Sequence, residues 1–132
     1  MIGFLLITHG DTGTALVRSS ELILGQQEGW KSLGINLDDS VEDLRSGIRQ
    51  AAGELERGEG LMVFTDVFGG STSTSVALEL REIHYECLTG VNLPMLLEGF
   101  MSRDTLSLEE LVQVCCEAGT GGIIRLREKL GE

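Results

Sequence analysis

The sequence predicts an α/β domain built on a doubly wound, mainly parallel sheet with helices on both faces. Short apolar runs alternate with helical patterns along the 132 residues, as successive strand–helix–strand units require. Residues 61–65 (Leu-Met-Val-Phe-Thr) are nearly all apolar, which suits a central strand covered on both faces. Helix-start and helix-stop residues fall between these runs: Ser40, Asn92 and Ser107 before helical patterns, Gly25 and Gly58 after them.

In order, residues 2–8 form a first apolar strand. A loop over residues 10–13 follows, then a helix over about 14–24, stopped by Gly25, which tolerates a left-handed backbone. The second strand, residues 32–37, is weaker, with Leu33, Ile35 and Leu37 alternating toward one face. Ser40 with Asp43 approximates a capping box, and Val41, Leu44, Ile48, Ala51 and Leu55 line one face of the next helix up to Gly58. After the third strand at residues 61–65, residues 66–75 make a turn and open a third helix to about Arg81. Residues 85–88 are a fourth strand. Asn92 as a cap and Pro94 in the first turn start a helix to about Met101. Ser107 and Glu110 form a further capping box for a helix ending near Gly119, and residues 122–126 read as a last short strand before a charged tail. With no linker, repeat or low-complexity segment, residues 1–132 are expected to be one domain.

Composition excludes several classes. The formal net charge is −11, from 21 acidic and 10 basic residues, which opposes nucleic-acid binding and docking on an anionic membrane. No apolar stretch approaches the roughly 20 residues of a spanning helix. The apolar start is too short and lacks the basic flank of a signal peptide, so a cytoplasmic location without membrane insertion is expected. Cys87, Cys115 and Cys116 show no metal-ligand spacing and read as small buried hydrophobes. No phosphate-binding GxxxxGK[ST] loop or GxGxxG fingerprint is present, so neither a nucleotide nor another cofactor, and no metal, is expected.

In open α/β sheets, ligands bind beyond the carboxyl ends of the strands where the strand order reverses. His9 follows the first strand and Asp66 the third. Strand order 2-1-3-4 makes those strands neighbours and brings the two side chains together. A carboxylate on one imidazole nitrogen fixes the tautomer, leaves the other lone pair outward, and stabilises the ring as it becomes cationic during attack. After Asp66, Gly69, Gly70, Ser71 and Thr72 lead into a helix whose free N–H groups and dipole suit a phosphoryl group. A lone His after a strand is commonly structural, and Gly-Gly-Ser is also ordinary turn chemistry. The case therefore rests on the convergence of His9, Asp66 and residues 69–72. His84 has no evident carboxylate and reads as structural or surface-exposed. Trp30 is expected to pack against the second strand.

The segments Thr8-His9-Gly10, Asp66-Val67-Phe68-Gly69-Gly70-Ser71 and Thr89-Gly90-Val91-Asn92-Leu93-Pro94-Met95-Leu96 resemble the IIA component of the mannose family of the bacterial sugar phosphotransferase system. The Leu-Ile-Leu-Gly-Gln-Gln end of the first helix and His84-Tyr85-Glu86 resemble it too, so the likeness runs along essentially the whole chain. It implies a relay: phospho-HPr, charged by Enzyme I from phosphoenolpyruvate, passes its phosphoryl group to His9, and a IIB protein accepts it during sugar uptake. By the same match Asp66 would hydrogen-bond His9, and Gly69, Gly70, Ser71 and Thr72 would hold the phosphoryl group. The IIB acceptor is expected to be a separate protein. The resemblance also implies a homodimer that exchanges the last strand, here residues 122–126. Where that family usually reads Gly-Gly-Ser-Pro-x-Asn, this chain has Thr72-Ser73-Thr74 after Ser71, which frees an N–H and bears on partner preference. A module that reports carbon supply through His9 phosphorylation, without transport, is the alternative function. The phosphocarrier subunit of dihydroxyacetone kinase and a small metal chelatase fit less of the chain.

Overall fold

β1 (Gly3–His9) occupies the middle of the sheet because six of its seven residues are buried and none carries a charge before His9. The structure, a computed structural model, describes residues 1–132. β1 pairs in parallel with β2 (Trp30–Ile35) on one side and β3 (Leu61–Thr65) on the other. β4 (Tyr85–Thr89) adds to β3, giving the order β2-β1-β3-β4. β3 is buried throughout, as its continuous apolar run predicts, whereas β2 and β4 are half-buried edges.

The two-residue period of the central strands divides the core. Phe4, Leu6, Met62 and Phe64 meet Val17 of α1 (Thr12–Leu24), Leu96 of α4 (Leu93–Ser102) and Leu111 of α5 (Leu108–Gly121). Leu5, Ile7, Leu61 and Val63 meet Ile48 and Ala52 of α2 (Val41–Leu55) and Val76 of α3 (Gly70–Glu79). Each buried Leu, Ile or Phe contributes about 1.5–3 kcal/mol by leaving water, so these two layers hold the sheet in place. α2 and α3 are further joined by Glu79, which accepts from Arg45 Nε at 2.7 Å and Arg49 Nε at 2.9 Å. The bonds from Arg49 and then Arg45 pull the Glu79 carboxyl down to about 2.

Three caps form as their local sequences predict. Ser40 accepts from Asp43 N at 3.0 Å, Asn92 accepts from Met95 N at 3.0 Å, and Ser107 with Glu110 makes a reciprocal capping box. Other boundaries shift. His9 is the last residue of β1 rather than the first beyond it, and α1 begins at Thr12. β2 starts two residues earlier than its alternation suggests, so Trp30 lies within the strand, its indole N–H donating to Gln27 O. α3 ends at Glu79 and α5 continues to Gly121.

The final strand expected at residues 122–126 does not form. Residues 123–125 are neither helix nor strand, and α6 (Leu126–Lys129), a single turn, follows. A strand exists only through pairing, and no strand of this chain pairs with that segment. Cys116 is exposed while its neighbour Cys115 is buried, because adjacent helix positions point about 100° apart. His84 does have a carboxylate partner: Glu109, in the first turn of α5, lies 2.6 Å from its Nε2. That contact joins two elements distant in sequence and leaves both side chains exposed. No helix is long and apolar enough to cross a membrane.

One core residue carries a charge. Arg103, which follows α4, is 2% exposed. Its guanidinium packs against the rings of Phe4 and Phe100, 5.1 and 5.0 Å from their centroids, while the two rings touch each other, with centroids 4.9 Å apart.

Candidate functional site

The register of the parallel sheet sets this site. Ile7 pairs with Thr65, so β1 and β3 end side by side and Asp66 arrives beside His9. Asp66 Oδ2 accepts two bonds from His9, from its backbone N–H at 2.8 Å and from Nδ1 at 3.0 Å. The other carboxylate oxygen accepts from Val67 N at 2.9 Å. Burial works against ionisation of Asp66, but the bonds from the His9 backbone, the imidazole and Val67 outweigh it and lower its pKa. An ionised carboxylate only accepts, so Nδ1 carries the proton and Nε2 presents its lone pair. The His9 side chain is 61% exposed while Asp66 is largely covered. The imidazole therefore faces outward and the carboxylate that binds its Nδ1 lies beneath.

Two close approaches shape the ground around His9. Gly10, at φ 56°, turns the chain away, and its N–H donates to Ile35 O at 2.9 Å. A Cβ on Gly34 would lie 2.5 Å from the carbonyl oxygen of Gly10. A glycine in β2 thus lets the loop after His9 fold down over the strand end. Thr8 reinforces the loop by accepting from Gly13 N at 2.7 Å.

On the other side, Gly69 (φ 120°) and Gly70 (φ 62°) both adopt backbone that favours glycine. Together they swing the chain from Asp66 into α3. The N–H groups of Gly70, Ser71 and Thr72 precede the first intrahelical bond of α3 and are available to an anion. Gly69 N–H is already engaged, donating to Ser73 Oγ at 3.0 Å. Ser71 also lines a cavity of about 200 Å³ together with Gly34 and Ile35, residues that pair with Thr8 and His9. The start of α3 therefore reaches across the end of the sheet toward the His9 side. The structure brings together His9 and Asp66, with Gly69, Gly70, Ser71 and Thr72 in one turn beside them.

Sequence reasoning read Ser73 as one more hydroxyl able to hydrogen-bond at the helix start and missed that it ties this turn by accepting from Gly69 N–H. Only its spacing of four residues from Gly69, with both glycines at positive φ, would have singled it out. It also missed the apolar surroundings, where Leu37, Val67 and Phe68 are exposed beyond β2 and β3.

The model of a protein family described as the phosphotransferase system fructose IIA component matches residues 3–115. The chain belongs to this EIIA family. It is 31% identical over 130 residues to the mannose-specific EIIAB component of Escherichia coli strain K12, covering 97% of this chain and 40% of that protein. The chain thus spans about two-fifths of that relative's length. It is 28% identical over 113 residues to the fructose-specific EIIA component of Bacillus subtilis, covering 85% of this chain and 77% of the relative. Among solved structures, an EIIA from Streptococcus agalactiae superposes with a TM-score of 0.85 at 26% identity, over 97% of this chain and 99% of that one. EIIA components are parts of sugar phosphotransferase systems, and the β2-β1-β3-β4 sheet is the fold this chain shares with them.

Proposed function

We propose that this EIIA chain, acting as one domain in the cytoplasm, takes a phosphoryl group from HPr onto His9 Nε2 and gives it to a IIB protein during sugar uptake. The observation that carries the reading is the Asp66 carboxylate, bonded to both the backbone N–H and Nδ1 of an exposed histidine. In the forward step the Nε2 lone pair attacks phosphorus, a new N–P bond forms, and the donor's N–P bond breaks. The bonding electrons return to the donor nitrogen. The His9 ring gains positive character as it attacks, and the carboxylate against Nδ1–H stabilises that charge. The N–H groups of Gly70, Ser71 and Thr72, with the hydroxyls of the last two, meet the phosphoryl oxygens. Transfer to the acceptor is the same step run outward.

The surroundings support a protein donor rather than a small molecule. Leu37 is 100% exposed and Phe68 83% exposed beyond the strand ends that flank His9, an apolar collar suited to a complementary protein face. The decisive experiment incubates the chain with phosphoenolpyruvate, Enzyme I and HPr, then reads intact mass. Wild type is expected to gain one acid-labile phosphoryl group and His9→Ala none. A gain that persists in His9→Ala would move the site elsewhere, and no gain in wild type would end the relay reading.

A homodimer belongs to the same proposal. The outer edge of β4 is unpaired. Beside it lies a cavity of about 270 Å³ lined by Val76, Tyr85, Cys87 and Thr65, whose buried hydroxyl has no partner. Ile123, Ile124 and Leu126 are exposed in a segment that pairs with nothing in its own chain. A second copy's segment laid along β4 would cover both surfaces and complete the edge. Light scattering is expected to give twice the chain mass; the mass of a single chain at every concentration would refute the exchange.

A further inference from the structure

We infer that Ser73 is a positioning residue for phosphoryl transfer, fixing the anion-binding turn through the one side-chain bond that its hydroxyl accepts from Gly69 N–H. The inference rests on the phosphoryl-transfer reading of His9 and adds to it a residue that does not touch the transferred group.

The turn needs such a tie. Gly69 at φ 120° and ψ −178° occupies a region open essentially to glycine alone, and Gly70 follows at φ 62°. Two successive glycines are the most mobile backbone a chain can offer. Side-chain packing gives little help within one chain. Phe68, next to the turn, is 83% exposed, and the cavity of about 270 Å³ lies behind it, lined by Thr65, Phe68, Ser73 and Val76 among others. Asp66 anchors the entrance through Val67 N, and α3 anchors the exit. Between them, the bond of 3.0 Å from Gly69 N–H to Ser73 Oγ crosses the flexible stretch.

This bond also decides which amides are offered. It withdraws Gly69 N–H from the ligand side and leaves Gly70, Ser71 and Thr72 as the set facing an incoming anion. Losing it would free one donor but release the frame holding the other three. Preorganised donors stabilise a transition state because they need no reordering as charge develops, so the net effect is slower transfer. A bond of this kind contributes a few-fold to about tenfold in an equilibrium or rate.

The test compares wild type, Ser73→Ala and Ser73→Thr, each loaded from phosphoenolpyruvate through Enzyme I and HPr, with amide hydrogen exchange at Gly69 measured on the same samples. Ser73→Ala is expected to exchange Gly69 N–H faster. It should also lower the maximal rate of phosphoryl uptake about fivefold, with little change in the HPr concentration at half-maximal rate. Ser73→Thr, which keeps the hydroxyl, is expected to restore both. A purely structural role would lower the unfolding temperature and leave the maximal rate unchanged, and that result would overturn the inference. So would a slowed rate that threonine fails to rescue. If wild type takes no phosphoryl group, the reading of His9 falls and the inference with it. If wild type is loaded and Ser73→Ala matches it, the inference alone fails.

Discussion

Asp66→Asn is expected to slow phosphoryl uptake at His9 by about a hundredfold while leaving the fold intact. The magnitude follows from what the carboxylate does. It accepts three N–H groups, from His9 N, His9 Nδ1 and Val67 N. Asparagine matches its size but offers one oxygen acceptor and turns an NH₂ toward the remaining donors. The ring then loses the partner that fixes Nδ1 as the protonated nitrogen, and part of the population presents N–H rather than a lone pair at Nε2. The developing charge on the ring also loses its neutralising neighbour. Groups that orient a functional histidine commonly contribute 10- to 100-fold, and removing a charge at a site of charge development reaches the upper end of that range or beyond. The measurement is the single-turnover rate of loading from phospho-HPr, with circular dichroism and unfolding temperature as controls. Because its hydrogen bonds lower its pKa below the ordinary carboxylate range, Asp66 remains ionised throughout neutral pH. Titration of Asp66 itself therefore contributes nothing to the deficit between about pH 6 and 8. An Asp66→Asn protein that loads at the wild-type rate would remove the carboxylate from the mechanism.

How much of this site the sequence discloses depends on the range of the interactions involved. His9 and Asp66 are 57 residues apart, yet both follow apolar runs that read as buried strands. A parallel sheet then aligns their ends without further information. The caps at Ser40, Asn92 and Ser107 are equally legible because each bond closes within three residues. β2 is harder to delimit. It is a half-buried edge strand, and its Leu33-Gly34-Ile35 alternation continues through Leu37 after the pairing has ended. Four features needed three dimensions. Ser73 matters because of the geometry of two glycines, which no pattern of residue types encodes. Glu109 meets His84 only because α5 packs against β4. Residues 122–126 have the composition of a strand but no partner within the chain. Arg103 is a charged residue that pattern reading assigns to the surface, and it lies in the core.

Arg103→Ala is expected to destabilise the chain by about 3 kcal/mol, the largest loss from any single change outside the apolar layers. No carboxylate lies within ion-pairing distance of the guanidinium. It is satisfied by backbone carbonyls instead: Nη1 donates to Gly29 O at 3.2 Å and more weakly to Ile2 O at 3.4 Å, and Nη2 donates to Glu28 O. Burial lowers its pKa, although a guanidinium remains charged under all ordinary conditions. One side chain therefore joins the end of α4, the entrance to β1 and the loop before β2. Alanine would take the guanidinium donors from these carbonyls, of which Gly29 O keeps the N–H of Phe4, leave a void against Phe4 and Phe100, and remove the cation from both rings. Lysine would restore a charge but reach fewer of these carbonyls and stack less well, so Arg103→Lys should recover only part of the loss. Because the bonds run to neutral carbonyls, the difference between wild type and Arg103→Ala should change little with salt, unlike that of an exposed ion pair. Equilibrium urea unfolding at low and high salt measures both quantities; a loss below about 0.5 kcal/mol would show that the core closes over the gap. Arg103 lies at the opposite end of β1 from His9. Phosphoryl uptake at a temperature where the variant is folded should therefore match wild type, separating a residue that holds the scaffold from those that handle the phosphoryl group.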